Sequence, residues 1–210
     1  VVSGDEVFKL RLTPSGVLYP HITSVIGNGV VVNPVTLITE LDMLASRGID
    51  VGRVRVSRSA HVIMPYHVAL DRANELRLAG AKVGTTGRGI GPVYGDRAWR
   101  LGLRMEDLLD RDILRERIAR ALPDKNLLLA HLGAETFEVD TLVDLAAGWG
   151  DRLREHLDDT TCGHRAGAVG EQRQESHQQE QAVQRVVHQG AGGALGCRDP
   201  LGPWGQPDRV

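Results

Sequence analysis

Residues 84 to 92 read Gly-Thr-Thr-Gly-Arg-Gly-Ile-Gly-Pro and hold the densest concentration of groups suited to an anion. Closely spaced glycines let backbone amides converge, the hydroxyls of Thr85 and Thr86 add donors, and Arg88 adds a planar cationic fork that matches phosphate. The pattern is not the dinucleotide fingerprint, which needs two residues between its second and third glycines. Nor is it the P-loop, which ends in Gly-Lys-Ser/Thr. A phosphate loop built from Thr85, Gly87, Arg88 and Gly89 therefore stands beside a plain linker as the two readings of this stretch. Further on, Arg97, Arg100 and Arg104 recur three to four apart, the spacing that would line them along one helical face as a basic ridge or a solvated surface. His61 and His67 have no carboxylate or cysteine at a ligand spacing, so they read as packed or surface histidines, and no metal site is expected from the side chains. No nucleophile, base and orienting group can be assembled from spacing.

These residues need elements to place them. Ile22, Val25 and Ile26, then Val30 to Val32, predict two short buried strands around a turn at Gly27–Gly29. Asn33 and Pro34 supply a cap and a first-turn proline, and Leu37, Ile38, Leu41 and Leu44 follow at helical spacing until Gly48. Val51 to Val56 predicts a strand, continued after Ser57–Ala60 by the apolar run 61–64. A second helix is predicted from Pro65 to Gly80 with Val68, Leu70, Ala73 and Leu76 as its stripe. Alternation of strand and helix predicts an α/β layer fold with a largely parallel sheet and flanking helices. Residues 83–95 show no periodicity and predict a loop. Asp110 caps a helix through Ile118 that the sequence predicts to break near Pro123 and resume at Leu127. A last helix is predicted over about 138–157. At the start, Asp5 and Glu6 predict a hairpin turn between Val1–Val2 and the alternating Val7 to Leu12.

The composition, 41% hydrophobic and 25% charged with a net charge of -2, is that of an ordinary globular chain. No run approaches the ~20 apolar residues of a bilayer span. No basic segment followed by an apolar core opens the chain. The expectation is a cytoplasmic protein with no membrane partner and, from the near-neutral charge, no nucleic-acid partner. The average conceals a break, however. No glutamine occurs before Gln172, both cysteines (Cys162 and Cys197) lie late, and from Cys162 onward there is no Ile, Met, Phe, Tyr or Lys. Such a segment buries too little apolar surface to offset backbone ordering at ~1 to 2 kcal/mol per residue. Residues 1–161 are read as the folded domain, and 162–210 as a Gln- and Gly-rich segment expected to be disordered. That segment is either a real tail or the product of a reading-frame change after Thr161, and the abruptness of the shift favours the second.

Four stretches, in order, carry a family resemblance: Leu12–Gly16 (Leu-Thr-Pro-Ser-Gly), Ile26–Val32 (Ile-Gly-Asn-Gly-Val-Val-Val), Ala60–His67 (Ala-His-Val-Ile-Met-Pro-Tyr-His) and Gly84–Tyr94 (Gly-Thr-Thr-Gly-Arg-Gly-Ile-Gly-Pro-Val-Tyr). Over about 1–161 the chain resembles the adenylosuccinate synthetases. The resemblance implies a P-loop-NTPase-like synthetase fold and a homodimer. It also implies a reaction in which GTP, with magnesium, phosphorylates the 6-oxygen of IMP and aspartate displaces that phosphate, a committed step of AMP synthesis. Thr86 matches the threonine that contacts IMP. Arg100 matches the arginine that reaches across the dimer to the IMP phosphate of the other subunit. Arg97 stands where the family signature has lysine, so a planar fork replaces a point-like ammonium at a position the family gives a catalytic role.

Two family segments have no counterpart in these residues. One is the Gly-Asp-Glu-Gly-Lys-Gly-Lys loop, which supplies GTP contacts, the catalytic aspartate and a magnesium ligand. The other is the Asn-Asn-Ala-Gly-His-Thr segment with the catalytic histidine. Ser3-Gly4-Asp5-Glu6 lacks the Gly-Lys-Gly-Lys continuation and is not that loop. The ligands of GTP and magnesium are accordingly not expected in this chain, and it is expected to be inactive alone. Other readings are a non-catalytic fragment that binds IMP phosphate or dimerises, or an unrelated α/β interaction protein.

Overall fold

A computed structural model describes residues 1–3, 6–78 and 84–160. Gly4, Asp5, Gly80, Val83 and the segment 162–210 lie outside the described residues; of the predicted Asp5–Glu6 turn only Glu6 is described, and it belongs to a strand. The first strands, β1 (Val2–Ser3) and β2 (Glu6–Val7), pair antiparallel, as a hairpin requires.

The central strands are parallel. β3 (Ser24–Ile26) and β4 (Val31–Val32) do flank a turn, closed by Val30 N–H to the Gly27 carbonyl at 3.2 Å, but they do not pair with each other. β3 pairs with β5 (Val54–Ser57), Ser24 opposite Val54, and β4 pairs with β6 (His61–Val62), Val31 opposite His61. β7 (Leu157–Asp158) completes a β3-β5-β7 order by pairing parallel with β5, Val56 opposite Leu157. Parallel strands need helical crossovers between them, and the helices that the sequence spacing predicts fill that role.

α1 (Pro34–Ser46) forms where the cap and periodicity place it. Asn33 Oδ1 accepts the Thr36 N–H at 3.1 Å, Pro34 occupies the first turn, and Leu37, Leu41 and Leu44 enter the core. Its Glu40 is buried, and the carboxylate collects the backbone N–H groups of Arg11 (2.6 Å), Leu12 (3.1 Å) and Thr13 (2.9 Å), which fixes that connecting segment to the helix. α2 (Pro65–Arg77) also starts at its proline, but the stripe differs from the predicted one. Leu76 is 76% exposed, while Tyr66, His67 and Asp71 are buried. The inward face of α2 is partly polar because it meets the charged groups of α3 (Ile90–Trp99), a helix that begins inside the stretch predicted to be a loop.

α4 (Arg111–His131) is capped by Asp110, which accepts from Asp112 and Ile113, and it runs unbroken through Pro123. An interior proline removes one intrahelical donor and crowds the preceding turn. Burial on both sides, with Leu114, Ile118, Ala121, Leu122 and Leu129 in the core, holds the two halves in line against that cost. α5 (Val139–Leu153) packs on α4 and buries Leu142, Val143, Ala146 and Leu153 in the core, while the stripe residue Leu145 is 41% exposed. It ends four residues before the predicted 157, where the chain passes through a 3-10 turn (Arg154–His156) into β7.

Candidate anion-binding site

The site is organised by α3 and its two ends. Gly89 caps the helix at φ 79°, in the left-handed region, and a Cβ there would lie 2.8 Å from the Val68 nitrogen and 2.9 Å from the His67 carbonyl carbon. Only glycine satisfies both the dihedral and the approach to α2. Its N–H donates to Asp71 Oδ2 at 2.8 Å, a buried bond between the helices.

A buried charged network lies below the helix. The Met64 N–H donates to His67 Nδ1 at 2.9 Å, so the imidazole proton resides on Nε2, which donates to Asp96 Oδ2 at 3.0 Å. Lys125 of α4 pairs with the other oxygen of Asp96. Burial pushes Asp96 up, but the hydrogen bonds from His67 and Lys125 outweigh it and hold the carboxyl below the usual range. Burial, aided by Lys125, holds His67 below the ordinary histidine value against the pull of Asp96, so it is the neutral imidazole. The Tyr66 hydroxyl, buried beside this network, is pushed well above its usual range by burial and by Asp96. Sequence spacing offers no signal for the network, since Asp96 and Lys125 each lie 29 positions from their partners.

The C-terminal end of α3 is a tight reversal. The Asp96 carbonyl accepts from Leu101 (2.9 Å) and Gly102 (3.2 Å), and Arg100 takes φ 60°, the one non-glycine residue with positive φ among the described residues. A left-handed L-residue costs about 1 to 2 kcal/mol. Strain of this kind clusters at functional sites. Arg97, Arg100 and Arg104 are therefore not a ridge on one helix. The helix stops at Trp99, and Arg104 lies in extended backbone at φ -104°, yet all three line one open cavity of about 500 Å³. Arg117 of α4, His61 of β6, Gly102, Ser59 and Asn28 complete its walls. Arg117 could not have been assigned from sequence, because the turn of α4 carrying it is brought there by tertiary packing alone.

The charges in this cavity do not balance. Arg104 pairs with Glu106 at 3.4 Å, and Arg117 with Asp107 at 3.3 Å. Among the described residues no carboxylate pairs with Arg97 or Arg100, and both are exposed. Burial raises Asp107, although the Arg104 N–H and the Arg117 guanidinium act against that rise. Two guanidiniums without a carboxylate partner among the described residues, beside two paired ones, have the chemistry that suits a compact dianion, since bidentate Arg bonds to phosphate are charge-assisted and directional.

The glycine-rich loop lies elsewhere. Gly87 and Arg88 line a second cavity of about 230 Å³ with Arg11, Asn33, Thr36 and Arg72, while Thr85 and Thr86 are exposed and line neither. Two loop amides are already engaged by α2 carboxylates, Gly84 N–H by Glu75 Oε1 at 2.9 Å and Gly89 N–H by Asp71. The structure thus brings Arg97 and Arg100 together and leaves Thr86, Gly87 and Arg88 apart from them. Among the described residues no three His, Cys, Asp or Glu side chains converge on a metal position, and no helix is long and apolar enough to cross a membrane.

Fold and site define an α/β protein with parallel central strands and an arginine-lined cavity. The chain belongs to the adenylosuccinate synthetase family, whose model matches residues 1–174. It is similar to the adenylosuccinate synthetase of Frankia alni, 50% identical over 161 residues, and to that of Kocuria rhizophila, 49% identical over 162. These alignments cover 76% and 77% of this chain, and 38% of each relative. The synthetase of a Synechococcus species is 42% identical over 196 residues, 93% of this chain and 42% of its own length. The chain thus spans about two fifths of the length of the curated relatives it matches. Among solved structures it resembles fully ligated adenylosuccinate synthetase from Plasmodium falciparum, with a TM-score of 0.64 and 27% identity over 74% of this chain and 36% of that one. The likeness extends the mixed α/β description to the P-loop-NTPase-like fold of that enzyme.

Proposed function

We propose that this chain carries the part of an adenylosuccinate synthetase that recognises the phosphate of IMP. The whole reaction joins IMP and aspartate at the expense of GTP, giving adenylosuccinate, GDP and phosphate in AMP synthesis, in the cytoplasm. In this reading residues 1–161 form a partial synthetase domain, and 162–210 are a separate Gln- and Gly-rich segment. The observation that carries the reading is the convergence of Arg97, Arg100, Arg104 and Arg117 on one cavity in which Arg97 and Arg100 have no carboxylate partner among the described residues. Arg100 ends α3 in the left-handed conformation, and its side chain is exposed and lines the cavity. That supports the family role in which this arginine serves the IMP of the second subunit of a homodimer. Arg97 can supply charge but not the compact ammonium of a lysine, so its part in catalysis is to hold an anion. Thr86, exposed on the loop before α3, is free to offer its hydroxyl to IMP.

The sequence contains no Gly-Lys-Gly-Lys loop, the segment that in the family supplies the GTP contacts and a magnesium ligand. Phosphoryl transfer depends on such positioning and charge stabilisation. The purified 210-residue chain is expected to form no adenylosuccinate from IMP, GTP and aspartate, and detectable product would overturn that expectation. Calorimetric titration with IMP tests the recognition role. Binding by the chain that weakens in Arg100→Ala supports it, and equal heats from the two proteins would refute it.

A further inference from the structure

The arginine-lined cavity contains one titratable group that the phosphate reading does not use. His61 lies in β6 and is 9% exposed, and its Nδ1 is buried with no hydrogen-bond partner among the described residues. A buried ring nitrogen without a partner is uncommon and calls for an explanation. The surroundings are arranged around the ring. A Cβ at Gly102 would lie 2.7 Å from His61 Cδ2, so the absence of a side chain there is what lets the imidazole lie against the turn that follows α3. The backbone of His61 bridges to Arg104, and the adjacent Val62 N–H donates to the Leu103 carbonyl at 2.9 Å, so the ring is held on ordered backbone on both sides.

The groups facing this histidine are cations. Arg97 comes from α3, Arg104 from the segment bridged to β6, Arg117 from α4, and Arg100 closes the cavity, while Asn28 and Ser59 are neutral. The nearby carboxylates, Glu106 and Asp107, are paired with Arg104 and Arg117. Burial first, then Arg97, Arg104 and Arg117, hold His61 below the ordinary histidine range. A dianion in the cavity offsets the excess positive charge that the imidazole faces.

We propose that His61 is the proton-linked member of this cavity: a proton is drawn from solvent onto its imidazole as a phosphate-type dianion enters, and returns to solvent when the dianion leaves. The inference rests on the reading of the cavity as an anion site and adds regulation by pH to it. Its consequence is anion affinity that climbs as the medium becomes acidic, by up to one proton per bound anion.

Sulfate is the probe, because it stays doubly charged throughout this range whereas a phosphate monoester itself titrates near pH 6. The full 210-residue chain is titrated calorimetrically with sulfate at pH 7.5, 6.5 and 5.5, at ionic strength held constant with chloride. The expected result is affinity that rises on the order of tenfold across that span, and by no more than about twofold in His61→Gln. An equal rise in both proteins overturns the inference while leaving the anion site intact. No sulfate binding at any pH overturns the anion site and the inference with it. Should the variant fail to fold, the imidazole resonances of His61 in the unaltered chain, followed by NMR against pH, give the same answer. Their midpoint moves up with sulfate present if the proposal holds, and a midpoint that stays in place refutes it.

Discussion

Replacing Gly89 with alanine is the most exacting perturbation of the site's scaffold. The new methyl carbon meets Val68 N at 2.8 Å and the His67 carbonyl carbon at 2.9 Å, both backbone atoms at the start of α2 that cannot swing aside. At φ 79° the L-residue also carries a left-handed cost of about 1 to 2 kcal/mol. Relieving the overlap by moving α3 away from α2 adds about 1 to 3 kcal/mol by analogy with overpacked cores. The same movement stretches the buried Gly89 N–H to Asp71 bond. Together these predict a loss of about 2 to 5 kcal/mol. With a urea slope of about 2 kcal/mol per molar, that lowers the unfolding midpoint by roughly 1 to 2.5 M. Gly91→Ala is the control, because nothing lies within 4 Å of a Cβ there and its φ is unstrained. It should be neutral or up to about 1 kcal/mol stabilising. Urea denaturation followed by circular dichroism reads both variants. A Gly89→Ala midpoint within 0.3 M of the parent, roughly half a kcal/mol at that slope, would show that the contact between α2 and α3 has been misjudged.

Other consequences are equally open to measurement. Asn33→Ala removes the acceptor of the Thr36 N–H and is expected to cost about 1 kcal/mol in urea unfolding; a change of only a tenth or two would mean that Pro34 alone starts α1. The pH dependence of stability follows from His67 and Asp96. The folded value of His67 lies below its unfolded value of 6.5, so the unfolded chain binds the extra proton, and stability is complete above about pH 6.5 and declines below it. Asp96 is also lowered, so its contribution is present above its unfolded value of 3.8 and disappears as pH falls through its folded value. The urea midpoint should therefore drop between pH 7.5 and 5.5, where the lowered His61 acts in the same direction as His67, whereas a rise over that interval would contradict a neutral buried His67.

Local signals in the sequence were sufficient for some elements and silent for others. α1 was legible because Asn33, Pro34 and the leucine spacing all act within a few residues of one another. The parallel sheet followed from the alternation of β-branched runs with helical ones, and Asp110 marked the start of α4. β7 was hidden because Leu157–Asp158 is only a two-residue strand, defined by its pairing with β5 about a hundred positions earlier. α3 was hidden because Gly91 and Gly95 erase helical propensity, and the element persists through burial of Val93 and the anchoring of Asp96. Pro123 misled for the opposite reason: a strong local breaker was overridden by core packing along α4. Within the site, the spacing of Arg97, Arg100 and Arg104 did indicate a shared location, although the geometry is a helix end and a reversal. Arg117, Lys125 and Asp71 join the constellation only through tertiary structure, and no local pattern marks them.

The central claim, that the cavity around Arg100 recognises a phosphate, is tested most directly by comparing IMP with inosine on the unaltered chain and on Arg100→Ala. The two ligands differ only in the phosphate, so the ratio of their affinities isolates its contribution. If the guanidinium of Arg100 meets that phosphate, the preference for IMP is large in the unaltered chain and falls by roughly tenfold or more in the variant, the size expected for a charge-assisted bond of about 1.5 to 3 kcal/mol. The same ratio in both proteins would contradict the assignment.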